Sequence, residues 1–237
     1  MSPSRFPEGP VRDLLRGARA LLDDVAAGRG LGRHWLRLCG VMAAGAGSYG
    51  AALGLWHGPR LALYVAVKLP LVLLLTSALT LVFSWMVTAL LGLPLRFGQV
   101  AVLTFLTLAV AGLLLASLVP VAGLFSLCSP GPSAQQRTAH NLLYLLHTGI
   151  VGGCGLAGTA ALWKAMRRLD APRRTLVAVY LIWIAAYALV AGEVAWALRP
   201  FVGSVYHPVV FLRRDAFDGN VYEFVFTDIL PYLLSRL

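Results

Sequence analysis

The sequence predicts an all-α protein: a polytopic membrane helix bundle of about five transmembrane helices, preceded by an amphipathic interfacial helix. Three observations carry this expectation. Of 237 residues, 59% are hydrophobic and only 13% charged, about half the roughly 25% charge of a soluble domain, and mean hydropathy is +0.76. The charges gather up to Arg37, between Lys164 and Arg174, and from Arg199 onward, leaving long, nearly uncharged stretches between them. Those stretches each meet or exceed the roughly 20 residues needed to cross a hydrocarbon core of about 30 Å.

The first element is amphipathic. Val11, Leu14, Leu15, Ala18, Leu21, Leu22 and Val25 recur at three- and four-residue steps, with Arg12, Arg16, Arg19 and Asp23 on the other face, and Gly28 and Gly30 end it. Just before a membrane span, such a helix is expected to lie in the cytoplasmic interface with its arginines at the headgroups, the alternative being packing against another protein's helix or the chain's own loops. No cleavable signal peptide is expected, because charges interrupt residues 1–34 throughout. The apolar stretches run approximately over 35–56, 61–91, 100–127, 141–165 and 175–198, and the joints carry Gly and Pro turn chemistry, as in His57-Gly58-Pro59 and Gly92-Leu93-Pro94. Pro70 is a candidate kink in the second. The chain thus divides into a cytoplasmic segment 1–34, a five-helix domain 35–198 and a tail 199–237.

Arginines set the expected orientation. With the N-terminus cytoplasmic, Arg96 and the cluster Lys164, Arg167, Arg168, Arg173 and Arg174 fall inside, leaving only Arg60 and Arg137 in outer loops. Five crossings then place the tail outside. Arg199-Pro200, Gly203, Pro208 and the charges to Asp218 break any sixth span. Asn220-x-x-Glu223 resembles a capping box ahead of the apolar run 222–234, so a short helix or re-entrant piece at the outer surface is expected there.

The net charge of +10 does not point to nucleic acid, because the basic residues flank apolar segments and form no basic domain. Cys39, Cys128 and Cys154 are too scattered for a disulfide framework or a metal site. His140 and His147 share a helix face but lack a third ligand nearby, and the 215–220 stretch lacks the alternating oxygens of a calcium loop. No metal, cofactor or catalytic residue is expected. Two charges do fall well inside predicted spans, Lys68 and Glu193, at similar depth. A Lys68–Glu193 pair, joined by His147, is therefore the natural expectation, either as a structural tie or as part of a polar path. Gly50-x-x-x-Gly54 and Gly149-x-x-x-Gly153 mark faces for close helix packing. Arg199, Arg213 and Arg214 are candidates for contact with a lipid phosphate or another anion.

The segment Trp196-Ala197-Leu198-Arg199-Pro200-Phe201-Val202-Gly203, with Asn220-Val221-Tyr222-Glu223 downstream and Val67-Lys68-Leu69-Pro70-Leu71 upstream, resembles a family of uncharacterised bacterial multi-pass membrane proteins. The resemblance covers the chain from about residue 28 onward; it implies the topology and carries no activity. In topology alone the chain is also similar to Yip-type five-helix membrane domains. Together with an Ala-, Arg- and Leu-rich composition, which fits a high-GC bacterium, the resemblance implies a bacterial inner (cytoplasmic) membrane as the expected location. The expected function is a non-enzymatic accessory or scaffold subunit, its partners being the lipid bilayer and other membrane proteins or further copies of itself. The alternatives are a small transporter or channel component with a polar path through Lys68, Glu193 and His147, and a membrane-embedded enzyme acting on lipid.

Overall fold

The computed structural model describes residues 19–131, 137–203, 209–224 and 227, side chains at 19, 137–139 and 224 excepted. Among the described residues there is no strand. The helices are α1 (Arg19–Ala27), α2 (Leu31–Gly54, extended by a 3₁₀ turn, Leu55–His57), α3 (Pro59–Leu90), α4 (Phe97–Ser117), α5 (Val119–Cys128), α6 (Arg137–Met166), α7 (Arg173–Ala197) and the short α8 (Val221–Phe224). Five are long and apolar enough to cross a membrane: α2, α3, α4, α6 from His140, and α7. Their surface chemistry suits a bilayer. Leu63, Leu79, Leu90, Leu145 and Leu156 stand exposed on the outside, while Thr76, Ser77, Thr80, Ser84 and Thr88 are buried along α3. The hydroxyls of Ser77, Thr80 and Thr88 donate to carbonyls of their own helix, at Leu73, Thr76 and Trp85, which removes the cost of leaving them unmatched in an apolar interior.

Helix α4 is the hub: 67% of its span is buried, against 22% for α6 and 17% for α7. It runs beside α2 in the same direction, with Trp35 edge-on to Phe105 at one end and Gly45 against Gly112 in the middle. A Cβ on Gly45 would run into the Gly112 carbonyl, and one on Gly112 would lie 2.9 Å from Met42 Cα. Helix α3 descends antiparallel to α2, where Gly50 meets Val65 and Gly54 meets Ala62. Pro70 remains inside α3. It removes the N–H that would bond the Ala66 carbonyl, and Gly47 of α2 brings its backbone to that same carbonyl. Helix α7 lies on α3, tied by Trp183 Nε1 to the Ser84 carbonyl (3.0 Å) and by the Tyr187 hydroxyl to the Leu73 carbonyl (3.3 Å). Helix α6 crosses α4 at Gly158, whose Cβ would sit 2.5 Å from the Thr107 carbonyl.

Two expectations change here. The stretch expected as one span over 100–127 is two helices. The first begins at Phe97 and stops at Leu118 (φ −94°, ψ 2°), and Val119-Pro120 opens the second. Pro120 cannot supply the N–H that would continue α4, but suits the first turn of a new helix, where that N–H is unpaired anyway.

The amphipathic helix is described only over Arg19–Ala27; its earlier turns, 11–18, lie outside the described residues. In the described part, the apolar face packs on the chain itself, not on lipid. Leu21 and Val25 are buried in the main core, with Leu22 beside them, and Gln99 Nε2 donates to the Val25 carbonyl at 2.7 Å. The reason is local. Gly28 (φ 69°) takes the left-handed cap, with Arg29 N–H bonded to Asp24 O and Gly28 N–H to Val25 O, a Schellman ending. That ending turns α1 back under α4.

Asp24 holds this corner, accepting from Arg29 at 3.0 and 2.9 Å and lying 3.2 Å from His34 Nε2. The hydrogen bonds from Arg29 and His34 keep its carboxyl below its ordinary value of 3.8. A carboxyl depressed in the folded state stabilises above the unfolded value and loses that contribution as pH falls through the folded one. The wild type should therefore melt above Asp24→Asn at neutral pH, with the gap closing below about pH 4. A gap constant from pH 7 to pH 3 would show that the carboxylate does not hold the corner.

Candidate functional site

Arg60, Tyr64 and Lys68 stand four residues apart on α3 and so share one face. The chain beyond α7 folds onto that face. Lys68 is fully buried; its Nζ donates to the Pro200 carbonyl at 3.1 Å and lies 5.9 and 5.3 Å from the ring centres of Phe201 and Phe211. Phe211 in turn stands edge-on to Tyr64, with centroids 5.5 Å apart, and Arg60 lies over the Tyr64 ring. A charged donor on a carbonyl and two aromatic faces is a strong combination in an apolar setting. Beside it, Val202 is buried with Leu53, Trp56, Leu61, Val65 and Leu143. The segment just beyond α7 thus completes the core at the far end of the bundle, opposite α1, instead of lying on its surface.

Glu193 does not pair with Lys68. Among the described residues, the ion pairs are Arg29–Asp24, His34–Asp24, Arg199–Asp215 and Arg213–Asp215. Glu193 comes six residues after Tyr187, about 120° from it around the helix, so it turns off the face that meets α3. It borders the tail: burial, and then the charge of Glu193, hold the Tyr222 hydroxyl above its ordinary value. That hydroxyl donates to the Leu189 carbonyl at 2.5 Å, and its ring covers Gly192.

His147 has a third set of partners. Its Nδ1 lies 2.7 Å from the Tyr49 hydroxyl, a single hydrogen bond joining α6 to α2. Both residues are buried, and Nε2 of His147 has no partner among the described residues. Tyr49 carries no signal in the sequence beyond its setting between Gly47 and Gly50, because a tyrosine in an apolar run is ordinary. His140, two turns before His147, stacks near Trp56 with centroids 5.4 Å apart, and Trp56 Nε1 donates to the Pro130 carbonyl. The three residues expected to form one polar cluster thus sit in three separate contacts.

The tail arginines divide likewise. Arg213 forks onto Asp215 at 2.9 and 2.7 Å. Arg199 approaches the same carboxylate at 3.7 Å, donates to the Trp196 and Asp215 carbonyls, and stacks on the Trp196 ring at 3.9 Å. Their anion is Asp215 of this chain. Burial pushes that carboxyl up, but the Arg213 hydrogen bond, its own backbone and the two arginine charges outweigh burial and lower it. Arg214 stands exposed. Asp215 to Asp218 forms a turn, and Asn220 Oδ1 accepts the Glu223 N–H at 2.7 Å, half of the expected capping box; residues 225–226 and 228–237 lie outside the described residues.

The glycine pairs also part company. Gly50 and Gly54 are consumed in the approach of α3, but a Cβ on Gly149 or Gly153 would meet nothing within 4 Å. Among the described residues nothing packs on them, whereas Gly45, Gly112 and Gly158 each meet the backbone of a neighbouring helix. No group of three or more His, Cys, Asp or Glu comes together to hold a metal among the described residues. Compared with models of protein families, with curated proteins and with solved structures, the chain matches none.

Proposed function

We propose that this chain is a non-enzymatic accessory or scaffold subunit of a bacterial inner-membrane complex, with the N-terminus cytoplasmic and the tail on the outer side. One observation supports this most. The ionisable groups of its far half act as ties between elements: Lys68 holds the tail to α3, His147 holds α6 to α2, and Asp215 gathers the tail. Ties of this kind fix a shape. The shape leaves α6 and α7 with broad outward faces, 22% and 17% buried. The orientation is supported by Arg29, Arg33, Arg37, Arg96, Lys164, Arg167, Arg168, Arg173 and Arg174, which belong to the end that carries α1, against Arg60 and the tail arginines Arg199, Arg213 and Arg214 at the other.

A transporter reading needs polar groups in file, and Lys68, His147 and Glu193 belong to separate contacts. The test is extraction from native membranes in mild detergent, followed by reconstitution. A scaffold co-purifies with stoichiometric membrane partners, and its proteoliposomes pass no ions or protons. Flux that Glu193→Gln or His147→Ala abolishes would overturn the proposal.

A further inference from the structure

One exposed face of α2 combines two arginines with small residues. Arg33, Arg37, Gly40, Ala44 and Ser48 follow at three- and four-residue steps, so they form a single stripe. All five are exposed. Between this stripe and α4 lies an open groove of about 520 Å³, lined by Arg37, Gly40, Val41, Ala44, Gly45, Ser48, Leu113 and Ala116, within the range of ligand pockets, about 300–1,000 Å³. The Ser48 hydroxyl donates back to the Gly45 carbonyl at 2.9 Å, which satisfies it within its own helix. A Cβ on Gly40 would meet nothing within 4 Å among the described residues, which leave the space in front of it open. The walls are therefore apolar from Gly40 onward, and the one charge lies at the end nearest α1.

We propose that this groove holds one anionic phospholipid from the leaflet at the α1 end, with its phosphate at Arg37 and one acyl chain along Gly40, Ala44 and Ser48. Charge and length both favour this occupant. The Arg37 guanidinium has no partner among the described residues. On a helix whose N-terminus lies at that interface, its side chain leans back toward the headgroups. Arg33, one turn nearer the interface, adds a second cation for an anionic headgroup. From Arg37 to Ser48 the helix rises about 16 Å, close to half of a hydrocarbon core of about 30 Å, which is one leaflet.

A second copy of the chain is a poorer fit. Two copies in one membrane share an orientation, so a two-fold contact through this face sets Arg37 and Arg33 beside their counterparts at the same depth. That is like-charge repulsion in a setting of weak screening. The proposal is independent of whether the chain serves a complex.

The full chain, reconstituted in dioleoylphosphatidylcholine vesicles containing a minority of dioleoylphosphatidylglycerol, is re-extracted, and the lipid it retains is measured by native mass spectrometry. The wild type is expected to retain phosphatidylglycerol in preference to phosphatidylcholine. Arg37→Gln should lower that preference about fivefold, the effect of removing one interfacial cation. Gly40→Leu should abolish retention of both lipids while melting at or slightly above the wild type, because its new side chain enters only the groove and the helix gains propensity. Equal preference in wild type and Arg37→Gln would overturn the site. So would undiminished lipid retention in Gly40→Leu, or a wild-type dimer that Gly40→Leu converts to monomer.

Discussion

Gly45→Ala is expected to lower the melting midpoint in detergent by on the order of 10 °C, while Gly149→Ala and Gly153→Ala melt at or slightly above the wild type. All three changes gain helix propensity, since Ala exceeds Gly by up to about 1 kcal/mol in a helix interior. Local preference therefore predicts the same small stabilisation at each. Packing decides otherwise at one of them. A methyl on Gly45 is driven into the Gly112 carbonyl, where the obstacle is backbone and no rotamer change relieves it. The helices must separate, and α2 and α4 form the central contact of the bundle, with α3 packed on α2 and α6 on α4. Overpacking of side chains costs about 1–3 kcal/mol, and a backbone clash at the central contact belongs at the top of that range or beyond. At Gly149 and Gly153 a Cβ meets nothing within 4 Å among the described residues, so the propensity gain decides. Thermal denaturation followed by size-exclusion chromatography separates the cases. If Gly45→Ala melted with the wild type, the close approach of α2 and α4 would be wrong.

The contrast shows what was legible. The number and order of spans could be read because a bilayer demands about 20 apolar residues per crossing, and the chain has few charges to interrupt them. The break at Leu118 was legible in principle, since Val119-Pro120 interrupts the third apolar run, but apolarity continues across it and masks the change of helix. Glycine spacing met its partner at Gly50 and Gly54, whereas no described residue of this chain packs on Gly149 or Gly153. The spacing states that a face is smooth, and says nothing of what meets it. Depth arithmetic failed similarly for Lys68 and Glu193: counting residues from a helix end gives height in the membrane, but a contact also needs the rotation about each helix axis. The partners that Lys68 and His147 do have, the Pro200 carbonyl and Tyr49, are uncharged, so the scarcity of charge that singled out the first pair could not point to the second.

Lys68→Met is expected to free the tail while leaving the helix bundle folded. Removing the ammonium deletes a charged hydrogen bond to the Pro200 carbonyl, worth about 1.5–3 kcal/mol, and the attraction of the Phe201 and Phe211 rings. These losses fall on the tail. The bundle itself gains, because a methionine of similar length fills the space without the desolvation cost of a buried ammonium, so the melting midpoint should hold or rise. The two readouts should therefore move apart, which a general loss of stability would not produce. When opening is fast relative to cleavage, proteolysis follows the open population, and each 1.4 kcal/mol is about tenfold. Cleavage within 199–219 by added protease should then accelerate about 10- to 100-fold in Lys68→Met. Glu193→Gln borders Tyr222 and not Lys68, so it should leave cleavage in this region near the wild-type rate, and the double variant should show only the Lys68→Met effect. Strong coupling between the two substitutions would mean that lysine and glutamate do meet. An unchanged cleavage rate in Lys68→Met would mean that the tail is held by Val202 and its apolar neighbours, with the buried lysine as a bystander.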